Sequence, residues 1–247
     1  MTTGARAAPT NRQARRRAAT YDEIVAVARA LLSEGHRPTI RGVAGKLGAS
    51  PAGLYRYVSG HDQLLDLVAA AVDEAATAEV RAHAERHDDP LTRWIAAWIG
   101  LRAWALTHSA EFRLLIDRPR SNGVPIRELS DAWLGQLLQA VWAARGFPLP
   151  PTAGLDLTGL EPLRHNADQQ TWPPGLVWLH ARICSSLHGL IALELSGYAE
   201  PALVHSAALF RSTLIDWLVR FCPPSELERL VVVIDQELRA VDGDHPG

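Results

Sequence analysis

Thr39, Arg41, Ser50, Tyr55, Arg56 and Tyr57 fall within one stretch, residues 39–68, that reads TIRGVAGKLGASPAGLYRYVSGHDQLLDLV. Guanidinium forks, phenols and hydroxyls are the groups that hold phosphate oxygens and read base edges. Motifs for making and breaking bonds do not accompany them. GxSxG, P-loop, GxGxxG and HExxH patterns are missing, so neither enzymatic activity nor a cofactor is expected. His83 and His87 stand four residues apart on a helical pattern and could share a metal ion. No third firm ligand joins them, and the remaining histidines scatter without ligand spacing, so no metal site is expected.

Two short helices must position these groups. Thr39 can cap the first, in which Ile40, Val43, Ala44 and Leu47 make one apolar stripe. Gly48 supplies the left-handed conformation that ends a helix. Ser50 is a good cap for the second helix and Pro51 stands in its first turn, where a missing N–H costs nothing. That helix anchors inward through Leu54 and Val58. Two helices joined so tightly, the second small and polar-aromatic, predict a helix-turn-helix that sets a recognition helix in the DNA major groove.

The same residues closely resemble the TetR family of transcriptional regulators. Its pattern is matched by Thr39, Val43, Ala44, Leu47, Gly48, Ser50, Leu54, Tyr55, Tyr57, Val58, Leu64 and Leu65, over about the first quarter of the chain. The resemblance implies that Pro51, Ala52, Gly53, Arg56 and Tyr57 form the exposed face of the recognition helix. Arg56 is then the first candidate for base reading, since its fork can bond both acceptors of guanine, worth about 1–3 kcal/mol of discrimination; the alternative is a phosphate clamp. Pro51 or Ala52 could touch a thymine methyl. Gly53 either permits close backbone approach or is a tolerated small residue. Tyr55 and Thr39 would set register through phosphates, and Arg41 could meet phosphate or minor groove. Tyr57 could contact DNA or pack on the first helix. Where the family has a phosphate-gripping Lys at the start of its fourth helix, this chain has His61, which could serve when protonated or as a neutral donor.

Charge follows the same division. The net −2 conceals ten basic and three acidic residues in residues 1–60, or +7, against 15 and 24 in the remainder, or −9. The cationic part would attract phosphate and the acidic part would be repelled by it. With 47% hydrophobic and 21% charged residues the chain is ordinary for a globular protein. Cys184 and Cys222 suggest no disulfide framework. No leader-like apolar segment or uninterrupted span of 18 apolar residues occurs, so a cytoplasmic protein without membrane insertion is expected.

The rest of the chain reads all-α. Residues 1–18 are expected to form a disordered basic arm, with Arg15, Arg16 and Arg17 either following DNA or merely solvated. Residues 19–69 form the DNA-binding domain and 70–247 a helical effector-binding and dimerisation domain, the boundary lying within a shared fourth helix. The first helix is predicted over 20–34 on Ile24, Val27, Ala28, Leu31 and Leu32, and the fourth from Gly60 or His61 to about Arg86. Further helices are expected near 90–107, 109–117, 125–145, 174–197, 201–221 and 224–241. Six prolines within 147–174 forbid a long helix there, leaving a loop with a helical turn near 155–163 that either lines a ligand entrance or is disordered.

Eight of sixteen aromatic residues are Trp, and Trp94, Trp98, Trp104, Trp133 and Trp142 lie on the helices that in the TetR family enclose an apolar effector cavity. They could wall a site for a small hydrophobic or aromatic ligand, with Trp178, Arg113 and His180 as further candidates, or serve as plain core. Residues 186–197, SLHGLIALELSG, resemble the HGL-x-x-LEL-x-G helix of one subgroup of TetR C-terminal domains. The helices near 174–197 and 201–221 are the expected homodimer surface, which would set two reading heads about 34–36 Å apart on a palindromic double-stranded operator. The expected function is a repressor released by such a ligand; the alternative is a helical ligand-binding protein that no longer binds specific DNA.

Overall fold

The computed structural model describes residues 11–118, 132–160 and 171–243. The protein is all-α, and the described residues carry eleven α-helices. The chain divides into two compact units, Met1–Ala71 and Val72–Gly247, and the division falls inside a helix.

In the smaller unit, α1 (Asn11–Ser33) packs against α2 (Ile40–Lys46), and α2 against α3 (Pro51–Leu54). Ile24, Ala28, Leu31 and Leu32 of α1 are buried with Ile40, Val43, Ala44, Leu54 and Val58, while Val27 is half-buried. Helix α1 starts at Asn11, not near residue 20, so Arg15, Arg16 and Arg17 lie on a helix and not on a loose arm. Apolar spacing misses those turns because residues 14–19 are all exposed; Ala and Arg are good helix formers by propensity. Residues 1–10 of the expected arm lie outside the described residues. Helix α4 (His61–Ala84) buries Leu64, Leu65, Val68, Val72, Ala76, Val80 and Ala84 along one face.

The larger unit is built round α5 (Pro90–Thr107), capped by Asp89, whose carboxylate accepts from the Thr92 N–H at 2.8 Å. It is buried on nearly every side, as a helix apolar all round must be. Its neighbours are α6 (Ser109–Asp117), α7 (Leu134–Arg145), α8 (Pro174–Leu195) and α11 (Pro224–Gly243). The start predicted for α7 at 125–133, with Leu129, falls mostly outside the described residues, as do residues 161–163 of the predicted turn; residues 158–160 do form a single helical turn.

The helix predicted over 201–221 is broken into α9 (Pro201–His205) and α10 (Ala208–Leu218). Between them Ala207 is left-handed, at φ 51°. No Gly or Pro marks the break. The Ser206 hydroxyl donates to the Ala202 carbonyl at 2.8 Å, beside the backbone bond that the Ser206 N–H makes to the same oxygen at 3.1 Å. Helix α8 is the one described helix whose length and composition would allow a membrane crossing, with mean hydropathy 1.4 in its most apolar window. Of its two charged residues, Glu194 is paired with Arg102 and Arg182 lies 5.5 Å from the Trp217 ring centre.

Candidate nucleic-acid interface and sensor core

Local hydrogen bonds build the α2–turn–α3 unit. The Thr39 hydroxyl accepts from the Gly42 N–H at 3.0 Å and that of Ser50 from the Gly53 N–H at 3.1 Å, so both caps are made as the sequence predicts. Each hydroxyl keeps its own hydrogen for a further acceptor. Thr39, Arg41, Ser50, Pro51, Ala52, Tyr55 and Arg56 are exposed, Tyr55 at 57%. A Cβ added at Gly53 would meet only the Ser50 Oγ, at 3.5 Å, so the fold itself has room for a side chain there. Lys46, the only Lys, bonds both Glu34 carboxylate oxygens at 2.7 Å and holds that carboxyl below its usual range. Both partners are exposed, and such pairs add little stability.

Tyr57 is half-buried and its ring meets Tyr21 of α1 edge-on, with centroids 5.6 Å apart. This is the packing alternative that the sequence left open. His61 is the first residue of α4, half-buried, where helix geometry leaves backbone N–H groups without intrahelical partners. The Gln63 side chain there accepts from the Ser59 N–H. Tyr21 was not predicted as part of this surface; its only sequence signal is a lone aromatic, which falls at the middle of α1.

In the larger unit, Trp94, Trp98, Trp104 and Trp133 are buried, whereas Trp142 and Trp178 are only half-buried. Among these six, Trp94 and Trp98 are in ring contact, at 6.3 Å. Trp94 also meets Phe221 at 5.4 Å, and Trp98 meets His188 at 5.1 Å. Trp104 stacks on His108 at 5.2 Å, and the Arg81 guanidinium lies 5.4 Å from the Trp133 ring. The buried indole N–H groups of Trp98, Trp104 and Trp172 find no hydrogen-bond acceptor among the described residues. Trp172, absent from the predicted set, is 3% exposed and meets His180 edge-on at 6.3 Å. Arg113 donates to the Leu195 carbonyl at the end of α8.

Residues of the 186–197 stretch have distinct structural duties. His188 faces Trp98 and Phe112, and Gly197 is left-handed at φ 73°. Glu194 accepts from Arg102 Nε at 2.8 Å, while Arg102 also donates to the Val204 carbonyl at 2.6 Å. Burial pushes the Glu194 carboxyl above its usual range, against the attraction of Arg102. His83 and His87 both turn to Glu237 of α11, with Nε2 atoms 2.9 and 3.0 Å from its two oxygens. No group of three or more His, Cys, Asp or Glu among the described residues is disposed to hold a metal ion.

Residues 94–216 match the family described as tetracyclin repressor-like, C-terminal domain. Among solved structures the chain is similar to SCO4313, described as a candidate regulatory protein. The two share 24% identity over 85% of this chain and 98% of that one, with a TM-score of 0.54, a likeness of fold. The ketosteroid transcriptional regulator KstR2 of Mycobacterium tuberculosis is 16% identical over 69% of this chain and 93% of its own, with a TM-score of 0.37. No curated protein matches the chain in sequence.

Proposed function

This chain belongs to the TetR family of DNA-binding transcriptional regulators, which are not enzymes, and we propose that it is a repressor released from a palindromic operator by a small hydrophobic or aromatic ligand. The observation that carries the DNA reading is the doubly capped α2–turn–α3 unit, which leaves Arg56 and Tyr55 exposed on the cationic part of the chain. Arg56 reads a base, Pro51 or Ala52 meets a thymine methyl, and Gly53 lets the backbone approach the groove. Thr39, Arg41, Ser50, Tyr55 and His61 hold phosphates, and Tyr57 braces the turn from behind. Footprinting and gel shifts on DNA beside its own gene, at stated salt, test this reading. Arg56→Ala is expected to weaken operator binding by about 1–3 kcal/mol and to relax preference at one base position per half-site. A uniform loss on all duplexes would make Arg56 a phosphate clamp.

Exposed apolar side chains support pairing of two copies through α8 and the α9–α10 segment: Leu193 is 45% exposed, Leu203 40% and Val219 60%. Burying such residues is the ordinary drive for a two-fold helical interface. The ligand site lies in the Trp94–Trp98–Trp104 region of α5. Buried N–H donors without acceptors are uncommon in folded proteins, and a ligand oxygen would satisfy those of Trp98 and Trp104. Ligand binding then resets the far end of α4, whose near end begins at His61. Operator and ligand affinities are coupled reciprocally, by about 1–3 kcal/mol if this switch follows the usual range. An operator affinity unchanged by saturating ligand would remove the switch.

A further inference from the structure

Arg17 sits one turn before Tyr21 on α1; two contacts join the pair, and two more tie Tyr21 to the recognition turn. An Arg17 guanidinium nitrogen donates to the Tyr21 hydroxyl at 3.2 Å. The guanidinium carbon lies 5.7 Å from the Tyr21 ring centre. The Tyr21 hydroxyl donates its own proton to the Tyr57 carbonyl at 3.0 Å, and the two phenol rings meet at 89°. Tyr57 directly follows Arg56 and closes the turn after α3. One hydroxyl, half-buried, therefore accepts from a cation on α1 and donates to the backbone that carries the reading side chains.

A flexible, exposed Arg on the outer turn of a helix would ordinarily sample many rotamers. Here the ring and hydroxyl of Tyr21 narrow that choice, while four of the five guanidinium N–H groups remain for another acceptor. We propose that Tyr21 is a positioning residue that seats Arg17 as a phosphate clamp beside the recognition turn, so that this contact and the aim of Arg56 are set by one hydroxyl. The inference rests on the DNA-binding reading above. It assigns Arg17 a fixed place on the duplex, where a loose basic arm would contribute only non-specific attraction.

The test uses the full-length protein and two probes: a duplex that the wild type recovers from a randomised pool, and a scrambled duplex of equal length. Affinity is measured across salt concentration for wild type, Arg17→Ala, Tyr21→Phe and the double variant, with melting temperatures as the control for folding. Arg17→Ala is expected to reduce the slope of log affinity against log salt by about 0.9 per reading head. Tyr21→Phe keeps the ring against Tyr57 and is expected to reproduce most of that change, with the double variant no weaker than Arg17→Ala. A merely structural Tyr21 would lower melting temperature and affinity but leave the salt slope intact. That result, or additive losses in the double variant, overturns the proposal while leaving DNA binding in place. A wild type that recovers no duplex would remove the DNA-binding reading, and this inference with it.

Discussion

Arg102→Ala is expected to destabilise the larger unit by about 3–5 kcal/mol, because it strands a buried carboxylate. The side chains of Arg102 and Glu194 are 4% and 1% exposed, and their contact is 2.8 Å. One Glu194 oxygen, Oε1, has no hydrogen-bond partner among the described residues, which agrees with a carboxyl raised by burial. The sign of the pH effect follows. Between the ordinary carboxylate range and its raised value, Glu194 holds its proton more often when folded than when unfolded. Stability contributed by this group is thus present at low pH and declines as pH rises through that window. Glu194→Gln removes the titrating group and should flatten the decline, but its amide leaves the buried Arg102 guanidinium without a counter-charge, so a loss of stability is expected here as well. Replacing both, as Arg102→Met with Glu194→Leu, should be close to neutral. Urea unfolding of the four proteins across pH decides the matter. A loss under about 1 kcal/mol for Arg102→Ala would mean that water reaches the pair.

The α2–turn–α3 geometry is legible in the sequence because its determinants are local. Thr39 and Ser50 sit three residues from the N–H groups they cap, and Leu54 and Val58 flank the exposed turn they anchor. What escaped was non-local or unpatterned. Glu194 was visible as part of a signature, but its partner Arg102 lies 92 residues away on another helix. The early turns of α1 carry no apolar stripe, so periodicity is silent where propensity suffices. The break at Ala207 has no Gly or Pro beside it, and neither Ser nor Ala is a strong breaker in sequence. The tryptophans show the same limit. Abundance pointed to a walled core, but which rings meet depends on helix crossings, and Trp142 and Trp178 end half-buried.

Trp172 carries the second large effect, because both ends of the proline-rich segment are seated on glycines of neighbouring helices. A Cβ at Gly135 of α7 would run into the six-membered ring of Trp172, 2.8 Å from Cζ3. At the other end, a Cβ at Gly175 of α8 would stand 2.8 Å from the Pro150 carbonyl oxygen and 3.0 Å from the Leu149 Cβ. Trp172 is therefore packed against α7 and the Leu149–Pro150 end against α8, while most of residues 151–160 are exposed. Trp172→Ala is expected to cost about 3–5 kcal/mol, as for other fully buried large aromatics. It should also speed proteolysis between residues 151 and 171. Gly135→Ala should cost about 1–3 kcal/mol by forcing the indole out of place. The two effects share one contact and so must not add. In a Trp172→Leu background the Gly135→Ala penalty should largely vanish, since the clashing ring atoms are gone. Equal penalties for Gly135→Ala in both backgrounds would show that the glycine answers to something other than Trp172.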